Sequence, residues 1–223
     1  MIIKHLKYAA VIDDDKNNYL TESQLNNYSL ITNFNANYQR IKENCGNYSG
    51  VEASGVSEIY HKHSYLAKSN IVVLDIEVSF KSKNVDKHQE RIDLLLYDIE
   101  NQTLQFVEAK HYSNKELWSK TTPKAVKQIR GYEKVINANP TGIIKQYSNY
   151  ISVINRIFGL ELPVPTKVEP KVMLLIFDFD ANQREGRLKE LVIQNNYYKG
   201  IKLYCIGNIK KIVMKSLWNG KVL

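Results

Sequence analysis

Residues 91–110 read RIDLLLYDIENQTLQFVEAK, two apolar runs separated by a short polar segment. The runs are rich in Leu, Ile, Val and Phe, and this pattern predicts two antiparallel strands joined by a turn. Asp93 interrupts the first run, and Glu108 and Lys110 end the second. Burying an ionised group in a sheet costs several kcal/mol unless a partner compensates its charge. These three charged side chains therefore mark a candidate site.

Strand geometry decides whether the three side chains can act together. Alternate residues of a strand face the same side of a sheet, so Glu108 and Lys110 share a face. A two-residue turn at residues 101–102 places Asp93 opposite Lys110 and diagonal to Glu108. A four-residue loop keeps all three on one face, whereas a three-residue loop changes the parity.

Two carboxylates beside a lysine suit a site for a hard divalent cation. Mg²⁺ takes oxygen ligands and commonly uses one or two carboxylates together with water and phosphate. Lys110 could then orient a nucleophilic water or stabilise negative charge that develops on a phosphate. The alternative interpretation is structural: Asp93, Glu108 and Lys110 form a cross-strand ion-pair network near the strand ends.

The chain resembles the PD-(D/E)XK nuclease superfamily, which has the restriction-endonuclease-like fold, over roughly residues 58–179. The residues that carry this resemblance lie on the hairpin and on the helix that follows it: Ile92, Asp93, Glu108, Ala109, Lys110, Gln128 and Tyr132. Ile92 stands where the family motif has proline. The resemblance implies that Asp93, Glu108 and the Ala109 carbonyl bind Mg²⁺ or Mn²⁺, and that Lys110 assists attack by water.

The fold that the resemblance implies is α/β (mixed α+β): a helix, a three-stranded meander, a helix and a further strand. We therefore expect a restriction-endonuclease-like core, a central mixed sheet of four to five strands flanked by helices. Hydrophobic periodicity independently predicts elements in a compatible order. The predicted strands are residues 71–80, 171–180 and 201–206, and the predicted helices are residues 57–68, 123–137, 143–158 and 187–196.

An additional acidic residue from the first helix is a further implication of the resemblance. The predicted helix at residues 57–68 places Glu58 in its first turn, where a carboxylate is favoured by the helix dipole. Glu58 is therefore the candidate, with Glu52 and Glu77 as rivals. The alternative is an ordinary solvated glutamate at a helix start.

The helix at residues 123–137 carries two groups of candidate residues. Lys127, Arg130 and Lys134 follow at steps of three and four, and they form a basic stripe suited to phosphate contacts. Gln128 and Tyr132 match positions that approach the active site in the resembling family. Tyr132 also fits a core aromatic residue, whereas the amide of Gln128, near the buried face, needs a hydrogen-bond partner.

Overall charge and composition narrow the classes of partner. The net charge of +8 favours a polyanionic partner, but charge alone does not separate DNA from RNA, an acidic protein or an anionic membrane. The nuclease resemblance makes DNA, rather than RNA, the expected partner. His111, next to Lys110, is a candidate phosphate contact or proton carrier, or simply an exposed histidine at a strand end. No transmembrane span or signal sequence is evident, and Cys45 and Cys205 have no metal-site spacing, so we expect no membrane partner and a cytoplasmic location.

These patterns predict an N-terminal helical or irregular elaboration at residues 1–50 and a nuclease-like domain at residues 51–223. The function that they favour is metal-dependent hydrolysis of phosphodiester bonds in DNA, with Asp93, Glu108 and Lys110 as the centre and Glu58 and Gln128 as further participants. The alternative is a non-catalytic nucleic-acid-binding or accessory subunit that keeps the fold. Whether two copies or an accessory protein must pair with the chain stays open.

Overall fold

The computed structural model describes residues 50–80 and 91–223. The elaboration predicted for residues 1–50 lies outside this part of the chain except for Gly50. Gly55–Leu223 form one compact unit. Its strands are β1 Ile71–Ser79, β2 Arg91–Asp98, β3 Thr103–His111, β4 Lys167–Val168, β5 Met173–Phe177, β6 Lys202–Ile206 and β7 Lys221–Val222.

The strands form one mixed sheet of seven in the order β1-β2-β3-β5-β6-β7, with β4 also pairing with β3. The β1-β2-β3 meander is antiparallel, β3, β5 and β6 are parallel, and β7 is antiparallel to β6. The mixed α/β class is confirmed. The sheet is larger than the predicted four to five strands, because β4 and β7 have two residues each and are too short to show a period.

Helices cover both faces of this sheet. The described helices are α1 Val51–His63, α2 Lys124–Ala138, α3 Pro140–Phe158, α4 Ala181–Gln183, the π-helix Arg184–Ile193 and α5 Met214–Trp218. Single 3₁₀ turns occur at Lys115–Leu117, Asn196–Tyr198 and Ile209–Lys211. None of the helices in the described part of the chain is long and apolar enough to cross a bilayer.

Two apolar clusters fill the space between the sheet and its helices. The first joins Leu95 and Phe106 of the hairpin to Ile129 of α2, Ile151 of α3 and Leu188 of the π-helix. The second cluster lies on the other face and joins Leu94 and Val107 to α1 and α5, through residues that include Val56, Ile59, Met214 and Leu217. The meander strands are therefore buried on both faces, as expected for the middle layer of three.

The first helix begins earlier than predicted. It runs from Val51 to His63, so Glu52 rather than Glu58 lies in its first turn, and Glu58 lies in the middle of the helix. The prediction at residues 57–68 missed this because Gly55 lowers helix propensity. In the structure, a Cβ atom at Gly55 would come within 2.6 Å of the Phe177 ring, so glycine permits close packing of the helix on β5.

Candidate functional site

The register of the β2–β3 hairpin positions the predicted site. Asp98 pairs with Thr103 and Leu94 pairs with Val107, so the loop has four residues, 99–102, rather than two. Asp98 Oδ1 accepts a hydrogen bond from the Asn101 N–H at 3.0 Å, which stabilises this longer turn. The two-residue turn that would pair Asp93 with Lys110 is therefore not formed, and the observed register places Asp93 opposite Glu108. The four-residue loop nevertheless keeps Asp93, Glu108 and Lys110 on one face of the sheet, as expected for a loop of this length.

The strand ladder opens where the acidic residues begin. Backbone pairing between β2 and β3 ends at Leu94 and Val107. Beyond this point Asp93 Oδ2 accepts a hydrogen bond from the Ala109 N–H at 2.7 Å. The side chain of Asp93 thus replaces a backbone acceptor, in a charge-assisted bond to the peptide that joins Glu108 to Ala109.

This bond also orients the Ala109 carbonyl. The N–H and C=O of one strand residue point toward the same neighbouring strand. Since the Ala109 N–H is directed at Asp93 on β2, the Ala109 carbonyl is directed toward β2 as well. The resemblance named three oxygen donors: Asp93, Glu108 and the Ala109 carbonyl. Glu108 and Ala109 are consecutive on β3, and Asp93 lies opposite Glu108 on β2, so all three lie at the open end of the hairpin.

Lys110 lies in a buried ion-pair network. Its Nζ atom is 2.9 Å from Glu108 Oε1 and 3.3 Å from Glu116 Oε2. The side chains of Lys110 and Glu108 are only 7% and 2% exposed, so their attraction is poorly screened by water. Glu116 is 31% exposed and also binds Lys124 at 2.9 Å, which extends the network to the surface. Asp93 is half-buried and provides a second polar position beside the buried pair.

Glu116 is a member of the cluster that sequence reasoning missed. It lies in the 3₁₀ turn Lys115–Leu117, where its N–H donates to Asn114 Oδ1 at 2.8 Å. Burial acts to raise the pKa of Glu116, but Lys124 and Lys110 outweigh this effect and hold the pKa below its usual value. Asn114 is a helix-start signal in the sequence, yet no spacing rule relates this turn to Lys110.

Gln128 and Tyr132 approach the start of β2. Gln128 Nε2 donates to Tyr132 Oη at 2.9 Å, and Tyr132 Oη donates to the Arg91 carbonyl at 2.8 Å. The Tyr132 ring is 3% exposed and belongs to the first apolar cluster, so the core-aromatic interpretation holds for its ring. The hydroxyl joins α2 to the strand two residues before Asp93.

Two predicted residues lie away from the carboxylates. Glu58 is exposed on α1, whose buried residues Val56 and Ile59 pack on the opposite face of the sheet from Phe106. His111 alternates with Lys110 along β3, and its ring packs edge-on against Phe177 at 5.5 Å in the second cluster. Its Nδ1 atom is 2.8 Å from Ser113 Oγ. The structure does not bring Glu58 or His111 together with Glu108.

Glu77 and Glu52, the two alternatives to Glu58, lie on β1 and α1. Glu77, on β1, is exposed and forms an ion pair with Arg91 at 3.2 Å. Its φ of 54° departs from strand geometry, so its side chain does not follow the alternation of β1. Glu52 is half-buried in the first turn of α1, the position that the prediction gave to Glu58.

The predicted basic stripe is exposed on α2. Lys127 and Lys134 are both exposed, and Arg130 Nη2 donates to the Tyr197 carbonyl at 3.1 Å. Helix α2 packs through Ala125 and Ile129 on the first apolar cluster. By alternation from Phe106, Glu108 and Lys110 face this same side of the sheet. The stripe and the candidate site therefore belong to one side of the molecule.

The oxygen donors fit a hard divalent cation in type. Mg²⁺ prefers carboxylate, carbonyl and water oxygens, and the open hairpin end offers two carboxylates and a carbonyl. Among residues 50–80 and 91–223, no group of three or more His, Cys, Asp and Glu side chains is arranged to hold a metal ion. A site built from Asp93, Glu108 and a backbone carbonyl uses only two such side chains.

Comparison with known proteins identifies no relative of this chain. No family model, no curated protein and no solved structure matches it. The contacts among Asp93, Glu108, Ala109, Lys110 and Glu116 are therefore the basis for any assignment of function.

Proposed function

We propose that the chain is a metal-dependent nuclease of the restriction-endonuclease-like type, which hydrolyses phosphodiester bonds of DNA. The observation that supports this proposal most strongly is the bond from the Ala109 N–H to Asp93 Oδ2, 2.7 Å long, at the point where the β2–β3 ladder opens. This bond brings one carboxylate to the peptide next to Glu108.

The residues that would hold Mg²⁺ or Mn²⁺ are Asp93, Glu108 and Ala109, the last through its carbonyl. When bound, such an ion lowers the pKa of a coordinated water and screens phosphate charge. The chain's own contribution is to hold the donors in place. Asp93 is oriented by the Ala109 N–H, and Glu108 is fixed on a strand that is paired with β5 from Val107 to His111.

Lys110 supplies positive charge beside these donors. In a site that is largely shielded from water, a fixed ammonium stabilises negative charge on phosphate oxygens more strongly than it would in solvent. Within the described part of the chain, Lys110 forms ion pairs with Glu108 at 2.9 Å and with Glu116 at 3.3 Å. Glu116 can therefore keep the ammonium in position when the oxygens of Glu108 are engaged elsewhere.

DNA would lie along the side of the molecule that carries α2. The exposed Lys127, Arg130 and Lys134 offer phosphate contacts there, and the net charge of +8 favours a polyanion. Gln128 is held by Tyr132 at the start of β2 and faces the same region. Glu58 has no part in this proposal, because α1 packs on the opposite face of the sheet.

A nucleic-acid-binding protein without turnover is the second candidate. The observation that favours it is the closed ion pair of Glu108 and Lys110, whose side chains are 2% and 7% exposed and 2.9 Å apart. A pair satisfied in this way can serve structure alone. This candidate keeps the DNA-binding surface on α2 and predicts no dependence on a divalent ion.

Cleavage assays with charge-removing, shape-preserving variants separate the two candidates. Linear, nicked, branched and single-stranded DNA are incubated with Mg²⁺ or Mn²⁺ and the wild type, Asp93→Asn or Lys110→Gln. The Asn side chain at position 93 can still accept the bond from the Ala109 N–H, so the variant should fold. The nuclease proposal predicts metal-stimulated cleavage by the wild type, a loss of about 100-fold or more in each variant, and retained DNA binding.

The matched control is Asp98→Asn, the same substitution on the same strand at the turn end of the hairpin. It should cleave like the wild type, because Asp98 contacts Asn101 rather than the candidate site. DNA binding without cleavage of any substrate by the wild type would favour the second candidate. Equal cleavage by wild type and Asp93→Asn would exclude Asp93 from the chemistry.

A further inference from the structure

A cavity of about 340 Å³ lies between the end of the π-helix and the segment that precedes α2. The residues that line it include Lys120, Glu190, Leu191, Gln194, Asn196 and Tyr197. We infer that this cavity binds one unpaired nucleotide of a DNA strand that leads to the candidate site. The inference depends on the proposed function and names the form of substrate that the same site receives.

One chain segment links the cavity wall to the partner of Lys110. Residues 112–123 join β3 to α2, and this connector carries Glu116, which is 3.3 Å from Lys110. The same connector is bonded to the segment that lines the cavity: Tyr198 Oη donates to the Leu117 carbonyl at 2.8 Å, and Asn195 Nδ2 donates to the Ser119 carbonyl at 3.4 Å. A strand bound in the cavity would therefore lie against the connector that holds Glu116.

The lining of the cavity suits a nucleoside. The Tyr197 side chain is 46% exposed, which leaves an aromatic surface open for stacking. Gln194 and Asn196 are exposed, and each amide offers both donors and an acceptor, the functions that base edges present. The volume of about 340 Å³ falls within the range of cavities that hold small ligands.

Charges of both signs lie at the cavity. Arg130 Nη2 is bonded to the Tyr197 carbonyl at 3.1 Å, and Lys120 lines the cavity with its side chain exposed. Both can contact phosphate oxygens. Glu190 also lines the cavity and repels phosphate, so the lining does not suit a bare anion. Mixed charge with an aromatic ring and two amides is better matched to a nucleotide.

An unpaired nucleotide is required because stacking on Tyr197 uses the face of the base. In a duplex, neighbouring pairs cover both faces of each base, so the base must be unstacked before it can reach a protein ring. Proteins that bind single strands commonly combine aromatic rings with basic side chains in this way. The inference therefore predicts that single-stranded DNA binds more tightly than a duplex of the same length.

Fluorescence anisotropy of labelled single-stranded and duplex oligonucleotides tests the cavity. Binding is measured with EDTA present, so that no cleavage occurs. Tyr197→Ala should weaken single-strand binding by about 5- to 150-fold, the range that corresponds to loss of one stacked base. Tyr197→Phe should bind like the wild type, since the ring remains. Phe158→Ala is the matched control, because Phe158 is 48% exposed on α3, and it should leave binding unchanged.

A salt titration tests the phosphate contacts separately. Arg130→Gln should reduce the slope of log K against log salt concentration by about 0.7, the value for one phosphate contact on a single strand. Wild-type single-strand binding by Tyr197→Ala, or equal losses in Tyr197→Ala and Tyr197→Phe, would overturn the inference. So would a wild type that does not prefer single strands.

The experiments distinguish failure of the cavity inference from failure of the nuclease proposal. A wild type that binds single strands through Tyr197 but cleaves no DNA would retain the nucleotide cavity and remove the nuclease. A wild type that cleaves DNA, with Tyr197→Ala equal to it in both binding and cleavage, would retain the nuclease and remove the cavity.

Discussion

Strand β2 carries one aspartate near each end of the β2–β3 hairpin, and the two carboxylates have different hydrogen-bond partners. At the turn end, Asp98 is 6% exposed, and its two oxygens accept hydrogen bonds from the Asn101 N–H at 3.0 Å and Asn101 Nδ2 at 2.9 Å. At the open end, Asp93 binds the Ala109 N–H across the point where the ladder stops. One aspartate closes a loop, and the other lies where two strands separate.

The difference between the ends shows what a buried acidic residue in a strand can mean. Asp98 is satisfied by its own turn, so its burial contributes to local stability. Asp93 instead binds the peptide that joins Glu108 to Ala109, next to the buried ion pair of Glu108 and Lys110. We therefore expect substitutions at the turn end to affect stability alone and substitutions at the open end to affect stability and activity together.

The largest effect on stability is expected at the open end. Lys110→Met removes the ammonium 2.9 Å from Glu108, whose side chain is 2% exposed. Removing one member of a buried ion pair destabilises a protein by about 3–5 kcal/mol. Urea unfolding of the metal-free protein at neutral pH measures this change. The double variant Glu108→Gln with Lys110→Met should lose less than Lys110→Met alone, and additive losses would show that the pair is not coupled.

A smaller effect is expected at the turn end. Asp98→Ala removes the acceptor of both Asn101 hydrogen bonds and should destabilise the protein by about 1–3 kcal/mol. Metal-stimulated cleavage should be unchanged at a temperature where the variant is folded. A loss of cleavage as large as that of Asp93→Asn would break the distinction between the two ends.

The smallest effect concerns Glu116 and acid. Its pKa in the folded protein lies below the usual value of 4.5, so its contribution to stability is present above that pH and is lost as pH falls through the folded pKa. Glu116→Gln should therefore be less stable than the wild type at neutral pH, and the difference should shrink as pH falls below 4.5 and through the lowered pKa of Glu116. Thermal unfolding from pH 3 to pH 7 measures the gap. A gap that does not narrow in acid would contradict the ionic role of Glu116.

Much of the hairpin and its covering helices follows from residue patterns. Helix α2 begins after Pro123 and buries Ala125, Ile129, Tyr132 and Ile136, as its 3.6-residue period predicts. Alternation also predicts the shared side of Glu108 and Lys110, since it depends on local geometry alone. These features need no knowledge of distant contacts.

Three features were not predicted from the sequence, one of them set by a local turn and two by contacts between distant residues. The four-residue turn that sets the hairpin register is held by the two Asp98–Asn101 hydrogen bonds, which the apolar pattern of the strands does not indicate. The start of α1 depends on packing of Gly55 against Phe177. The position of Glu116 beside Lys110 depends on how residues 112–123 return across the sheet, and local propensity carries no information about that path.

Anomalous scattering from a crystal soaked in Mn²⁺ tests the central claim most directly. The account predicts one peak at the open end of the hairpin, about 2 Å from oxygens of Asp93 and Glu108 and from the Ala109 carbonyl, with no peak in Asp93→Asn crystals. A fully soaked wild-type crystal with no peak there, and with Glu108 still bound to Lys110, would contradict it.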